Sequence, residues 1–265
     1  MSDGRAPARG DERAARAPVL ETRDLGRRFG GLHAVAGVSF SVPEGEVLGV
    51  IGPNGAGKST FINLVTGHIR PTSGRVLIDG RDLTGAKPWT VAGARVARTF
   101  QIVKPFRGMS VRENVVVGLL HGPERARTMS GARSTADEML ARVGLAQHAD
   151  RSPGELTVAD ARRLEFAKAL ALRPRLLLLD EVMAGLRPAE IEPSLELIRE
   201  LKGQGVTIVV VEHVMRAIVA VSDRVLVLHQ GKVLTVGAPK DVLSDSRVIE
   251  AYLGKRYAKR QEGRA

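Results

Sequence analysis

A glycine-rich octapeptide, Gly52-Pro53-Asn54-Gly55-Ala56-Gly57-Lys58-Ser59, lies between the apolar run Val47–Ile51 and an apolar-periodic stretch over residues 60–66. The arrangement predicts a buried strand, a tight loop and a helix in immediate succession, and it fits the spacing GxxxxGK followed by Ser or Thr. Glycines let the backbone curl until successive amides point inward at phosphate oxygens, and the helix amino terminus adds its partial positive charge. Lys58 would then reach the β and γ phosphates of a nucleotide. Ser59 offers a hydroxyl oxygen suited to Mg²⁺, a cation that takes phosphates and waters as its other ligands. For a turn that binds nothing, chance would have to supply the residues and both flanking elements.

Two more apolar runs, residues 176–179 and 206–211, are too short for helices, and polar residues follow each at once. Their alternation with amphipathic stretches predicts an α/β protein built on a buried, mostly parallel sheet, whose ligands bind at the carboxyl edge of the strands. Residues 19–82 carry alternating segments with Gly-rich turns, including 35–42 before Pro43-Glu44-Gly45 and 76–78 before Asp79-Gly80, which predicts a flanking antiparallel β subdomain. Residues 111–148 read as helical, interrupted by Gly122-Pro123 and the polar stretch 124–135. We place an inserted helical subdomain at about residues 105–172. Residues 225–228 and 233–236 bracket Gly231 as a hairpin. One domain over residues 19–254 is expected, with a disordered tail over 1–18 and a basic tail over 255–265. The first tail carries Asp3, Asp11 and Glu12 and lacks the apolar core of a targeting peptide.

Composition narrows the function. A formal charge of +11 over 265 residues favours an anionic partner such as nucleotide, nucleic acid or lipid headgroups. With 43% apolar and 26% charged residues, wholesale disorder and a multi-span membrane protein are both excluded. The absence of cysteine rules out disulfides, zinc-thiolate sites and a thiol nucleophile. No apolar run approaches the roughly 20 residues of a membrane helix, so any membrane role is expected from outside the bilayer.

The run 176–179 leads into Asp180-Glu181, two acids at the end of a predicted buried strand. One carboxylate can enter a Mg²⁺ shell while the next polarises a water for attack on a γ phosphate. With these motifs in order, the chain resembles the ATP-binding subunit of an ABC transporter, most closely the LivG type of branched-chain amino acid importers. The likeness spans residues 19–254 and includes Arg28-Phe29-Gly30-Gly31-Leu32, Arg98-Thr99-Phe100-Gln101 and Val248-Ile249-Glu250-Ala251-Tyr252-Leu253-Gly254. The resemblance implies a P-loop NTPase core that binds ATP and Mg²⁺. Phe29 would stack on adenine, Gly52 through Thr60 would cradle the phosphates, and Ser59, Gln101 and Asp180 would hold the metal. Glu181 would act as general base, Gln101 would contact the attacking water, and His213 would touch the γ phosphate.

The same resemblance implies two membrane-spanning permease subunits, docked around residues 91–118 and the helical lobe. It also implies a second ATP-binding subunit in a homodimer or heterodimer, an indirect periplasmic solute-binding protein, and a place on the cytoplasmic face of the inner membrane. The family's LSGGQ segment corresponds to Leu156-Thr157-Val158-Ala159-Asp160, where Thr157 keeps a hydroxyl for the nucleotide of the opposite subunit but Val158 and Ala159 replace glycines. Val182 stands where the family has Pro, and Arg187 where it has Asp or Asn. Either Thr157 and nearby amides suffice for closure, or this subunit hydrolyses slowly beside a more standard partner. Two other functions are weighed: a lipid or lipopolysaccharide-type exporter, and a soluble ABC ATPase acting on nucleic acid or ribosomes. A nucleic-acid partner is not expected, because 2 Tyr, 6 Phe and 1 Trp supply few surfaces for base stacking.

Overall fold

A computed structural model of the chain describes residues 17–253. Residues 1–16 and 254–265 lie outside the described residues, so the expected tail over 255–265 and most of that over 1–18 do too, whereas Pro18, assigned to the first tail, already belongs to a strand. In chain order the elements are β1 (Pro18–Phe29), β2 (Leu32–Pro43), β3 (Val47–Ile51), α1 (Lys58–Val65), β4 (Ser73–Ile78), β5 (Arg81–Asp82), α2 (Pro88–Gly93), β6 (Val96–Arg98), α3 (Val111–His121), α4 (Met129–Arg142) and α5 (Val158–Leu170). They continue with β7 (Leu176–Asp180), α6 (Pro188–Gly203), β8 (Thr207–Val211), α7 (Met215–Val221), β9 (Arg224–His229), β10 (Lys232–Gly237), α8 (Pro239–Ser244) and α9 (Ser246–Leu253).

Every residue of β3, β7 and β8 is buried, which is what parallel strands covered on both faces require. They lie in a six-stranded sheet of order β10-β9-β3-β8-β7-β6, parallel except for the β9–β10 hairpin at its edge. The hairpin turns through Gln230 and Gly231, both at positive φ. A second, antiparallel sheet has the order β2-β1-β4-β5. Side chains of the central strands alternate between two cores. Val47, Ile51, Leu177 and Leu179 pack with α3 to α7, whereas Leu48, Val50, Leu176 and Leu178 pack with α1 and the antiparallel sheet. The predicted α/β architecture, with its flanking sheet and helical insertion, is therefore present.

One prediction in the helical region is corrected. The polar stretch 124–135 does not interrupt the helices throughout, because α4 begins at Met129. The Thr128 hydroxyl accepts from the Gly131 amide at 3.1 Å, and Ala132, Ala136, Met139 and Leu140 form a buried stripe at helical spacing. Two of those four are alanines, so the stripe is faint in a hydropathy reading. Before it, α3 starts in a capping box between Ser110 and Glu113 and ends at Gly122. Among the described residues no helix is long and apolar enough to cross a membrane.

Register places the strand ends side by side. Val50 and Asp180 both pair with Val211, so the loop after β3, Glu181 after β7, and Glu212-His213 after β8 leave the sheet at one level. Arg98 of β6 pairs with Leu178, which brings Thr99, Phe100 and Gln101 to the same edge.

Candidate nucleotide site

A cleft of about 770 Å³ opens at that edge, lined by Phe29, the loop from Asn54 to Thr60, Gln101, Glu181 and His213. Its floor is the loop leading into α1. Gly57 at the helix start has φ 105°, and a Cβ there would sit 2.3 Å from the Ala34 carbonyl oxygen, so the turn requires glycine. Gly52 is held as closely, since an added Cβ would lie 2.2 Å from the Leu228 carbonyl oxygen. Gly52 and Pro53 do not line the cleft. Their carbonyls accept from Lys58 Nζ at 2.6 and 3.1 Å. Burial pushes the Lys58 ammonium pKa down, opposed by the nearby charges of Glu181 and Asp180.

Three residues singled out from separate parts of the chain meet at one carboxylate. Glu181 Oε2 accepts from Gln101 Nε2 at 2.6 Å, and Oε1 lies 2.5 Å from His213 Nε2. The Glu181 backbone is itself fixed in the left-handed region, with φ 53°. Its amide donates to the Val211 carbonyl at 2.9 Å, and its carbonyl accepts from Arg162 Nη1 of α5.

Asp180 lies beneath the cleft and does not line it. Its Oδ2 accepts from Arg98 Nη2 at 3.1 Å, and Arg98 also donates to Asn63 Oδ1 at 2.7 Å. Burial pushes the Asp180 pKa up; the Arg98 guanidinium opposes that rise and the Glu181 charge adds to it. Of the three residues expected to hold Mg²⁺, Ser59 and Gln101 line the cleft and offer hard oxygen atoms of the kind that cation takes beside phosphate oxygens and water, whereas the Asp180 carboxylate is paired with Arg98.

Phe29 stands at the tip of the β1–β2 hairpin, 44% exposed, with the Arg27 guanidinium 4.5 Å from its ring centroid. It is not a core phenylalanine. Thr157 lies outside the cleft, where its hydroxyl caps α5 by accepting from the Asp160 amide at 3.1 Å and donating to Asp160 Oδ2 at 2.8 Å. Beside it Val158 is 70% exposed.

Four contributors escaped the sequence reading. Arg162 belongs to a basic pair that reads as a solvated helix face, and Arg98 was noted only as part of a motif. Tyr252, in the quoted stretch near the chain's end, lies near the Gly52 backbone, and burial pushes its phenol pKa up. Glu212 is buried, accepts from the Met183 amide at 2.7 Å on Oε1, and leaves Oε2 without a partner among the described residues. The polar residue that ends an apolar run was the only signal of it.

Residues 35–184 match the family described as ABC transporter, and residues 232–258 match the branched-chain amino acid ATP-binding cassette transporter family. The chain belongs to the ABC transporter ATP-binding family. The cassette is 41% identical over 251 residues to the high-affinity branched-chain amino acid transport ATP-binding protein LivG of Salmonella typhimurium, covering 90% of this chain and 98% of that one. It is 39% identical over 251 residues to the corresponding protein BraF of Pseudomonas aeruginosa, with the same coverage. Among solved structures it resembles an ATP-binding cassette of an ABC transporter in its ADP conformation, with TM-score 0.81 and 31% identity, covering 90% of this chain and 99% of that one. A dimeric bacterial ABC transporter cassette aligns with TM-score 0.77 and 25% identity, over 83% of this chain and 98% of that one.

Proposed function

We propose that this cassette is the ATP-hydrolysing subunit of an importer for branched-chain amino acids or related small polar solutes. The observation that carries the chemistry is the convergence of Gln101 and His213 on Glu181, at the mouth of a cleft floored by the Lys58 loop. The names of the relatives carry the solute class.

In this reading Glu181 takes the proton of a water aligned on the γ phosphate, and the carboxylate is aimed by its bonds to Gln101 and His213. Holding the general base before substrate arrives saves the reorganisation that a free side chain would need. The amides from Asn54 to Thr60 and the Lys58 ammonium bind phosphate oxygens, with Gly52 and Pro53 anchoring Lys58 from below. Ser59, Gln101 and Asp180 would hold Mg²⁺, which neutralises charge on the β and γ phosphate oxygens when bound. Phe29 offers its face to adenine without a hydrogen-bond code. Thr157 and the start of α5 would cap the nucleotide of a second cassette, so the working form is a dimer seated on two membrane-spanning subunits at the cytoplasmic face. A periplasmic solute-binding protein acts on the far side.

The test is uptake of labelled leucine, isoleucine and valine by cells lacking this cassette. Uptake is expected to fall and to return with the wild-type chain but not with Glu181→Gln. Undiminished uptake of all three would refute the solute assignment, and co-purification with ribosomes or nucleic acid in place of membrane subunits would refute the transporter reading.

A further inference from the structure

The aromatic ring at the mouth of the cleft stands on an unsupported tip. Phe29 ends β1, and the two residues that turn the hairpin lie in open space: a Cβ added at Gly30 or Gly31 would meet no atom within 4 Å among the described residues. A phenylalanine on such a tip swings between rotamers unless something holds it, and a base that stacks on a mobile ring must also order that ring.

What holds the ring is Arg27. Its guanidinium carbon lies 4.5 Å from the Phe29 ring centroid, well inside the range of a cation–π contact. The two side chains face different spaces. Phe29 lines the nucleotide cleft, whereas Arg27 lines a separate cavity of about 250 Å³ together with Arg28, His33 and Thr72. The guanidinium therefore backs the ring from the side away from the cleft, and the cleft side is left for a base. A cation on one face also draws π density toward itself, which leaves the opposite face better matched to an electron-rich purine.

Arg27 is itself anchored. Its Nη1 donates to the Arg70 carbonyl at 3.0 Å, and the strand on either side is tied to the same stretch of chain. There the Arg28 amide donates to Thr72 Oγ1 at 3.1 Å, and the Thr72 amide donates to the Gly26 carbonyl at 2.7 Å. Residues 70–72 lie between α1 and β4, so they follow directly on the helix whose first residue is Lys58. Contacts thus run without a break from the Phe29 ring through Arg27 to the chain that continues from the phosphate-loop helix.

We propose that Arg27 is a positioning residue for the nucleotide base: it orients Phe29 for stacking and fixes the spacing between the ring and the phosphate loop. The proposal rests on the reading of Phe29 as the adenine platform. Arg27 makes no contact with the nucleotide and acts only through the ring, so its effect on binding exists only while the ring is there.

Calorimetric titration of the purified full chain with ADP and Mg²⁺, and separately with inorganic pyrophosphate and Mg²⁺, tests this. Arg27→Met removes the charge and the bond to Arg70, and is expected to weaken ADP binding about 2- to 5-fold, the factor that corresponds to a cation–π contact at an exposed site. Pyrophosphate has no base, and its affinity is expected to stay at the wild-type value. Arg27→Lys keeps a cation within reach of the ring and is expected to recover part of the loss. In a Phe29→Ala background, Arg27→Met is expected to cause no further loss, the non-additivity of two residues that act as one. Should Arg27→Met fail to fold, Arg27→Gln carries the same comparison, because it lacks the charge and keeps a donor for the Arg70 carbonyl. Unchanged ADP affinity in the folded variants would overturn the proposal, as would a matching loss of pyrophosphate affinity or an equal loss in the Phe29→Ala background. Wild-type ADP affinity in Phe29→Ala alone would instead overturn the platform reading, and the role of Arg27 with it.

Discussion

Replacing Glu212 by Gln should stabilise the cassette, and by an amount that depends on pH. Burial pushes the Glu212 carboxyl up to about 7 from an ordinary 4.5, opposed by the hydrogen bond from the Met183 amide and by the nearby His213 backbone; the Glu181 charge raises it further and the His213 side chain lowers it. Between those two values the folded chain keeps a proton that the unfolded chain releases, so unfolding free energy falls as pH rises through the window. Below about pH 4.5 the carboxyl is neutral in both states and carries no penalty; above about pH 7 the full penalty of about 3 kcal/mol is present. Glutamine keeps the oxygen that accepts from Met183 and places an uncharged amide where Oε2 has no partner among the described residues. The variant should therefore match wild type near pH 5 and exceed it near pH 8 by about 3 kcal/mol, or about 6 to 12 °C in melting temperature for a domain of this size. Thermal melts of both proteins at several pH values read this directly. A melting difference that is the same at pH 5 and pH 8, or a variant less stable at pH 8, would show that Glu212 does not carry a buried charge and would refute the reasoning.

Other perturbations test the site itself. Glu181→Gln should lower the ATPase rate by about 10² to 10⁴ while leaving nucleotide affinity nearly unchanged, and a rate equal to wild type with all partners present would remove Glu181 as general base. Phe29→Ala should weaken ATP binding by the loss of about 1 to 3 kcal/mol of stacking, with Phe29→Trp restoring it; unchanged titrations with a fluorescent nucleotide would take Phe29 out of the site. Arg98→Met leaves Asp180 buried without its guanidinium and should cost about 3 to 5 kcal/mol in urea denaturation, and a neutral result would mean that solvent reaches Asp180 freely.

The elements legible in the sequence are those whose causes are local. The strand, loop and helix around Lys58 occupy fewer than twenty consecutive residues, and each step has its own signal: a wholly apolar run, glycines where a Cβ cannot fit, and an apolar helix period. The two sheets follow from the contrast between continuous and alternating apolar runs. Residues 124–135 were misread because a buried stripe containing Ala132 and Ala136 looks polar when its neighbours are Arg, Ser and Thr. The convergence on Glu181 has no local cause. Gln101 lies 80 residues before it and His213 32 residues after it, and they meet only because β6, β7 and β8 are adjacent and parallel, with Val211 level with Asp180. Resemblance to a family named those residues; geometry explains why they work together.

Parallel strands also account for what escaped notice. When neighbouring strands run the same way, every loop at one edge competes for the same few polar partners, and buried side chains must satisfy backbone that no strand reaches. Glu212 does this for Met183, Thr99 for the Asp180 amide at 3.0 Å, and Glu165 for Lys104. In a sequence each reads as an ordinary polar residue beside an apolar run, because the group it serves is 29, 81 or 61 residues away. The arrangement has a mechanical consequence. A site built from strand-end loops is only as rigid as these cross-ties, so the rigidity of Glu181 rests on the Arg162 bond to its carbonyl and on the Glu212 tie to Met183 as well as on Gln101 and His213.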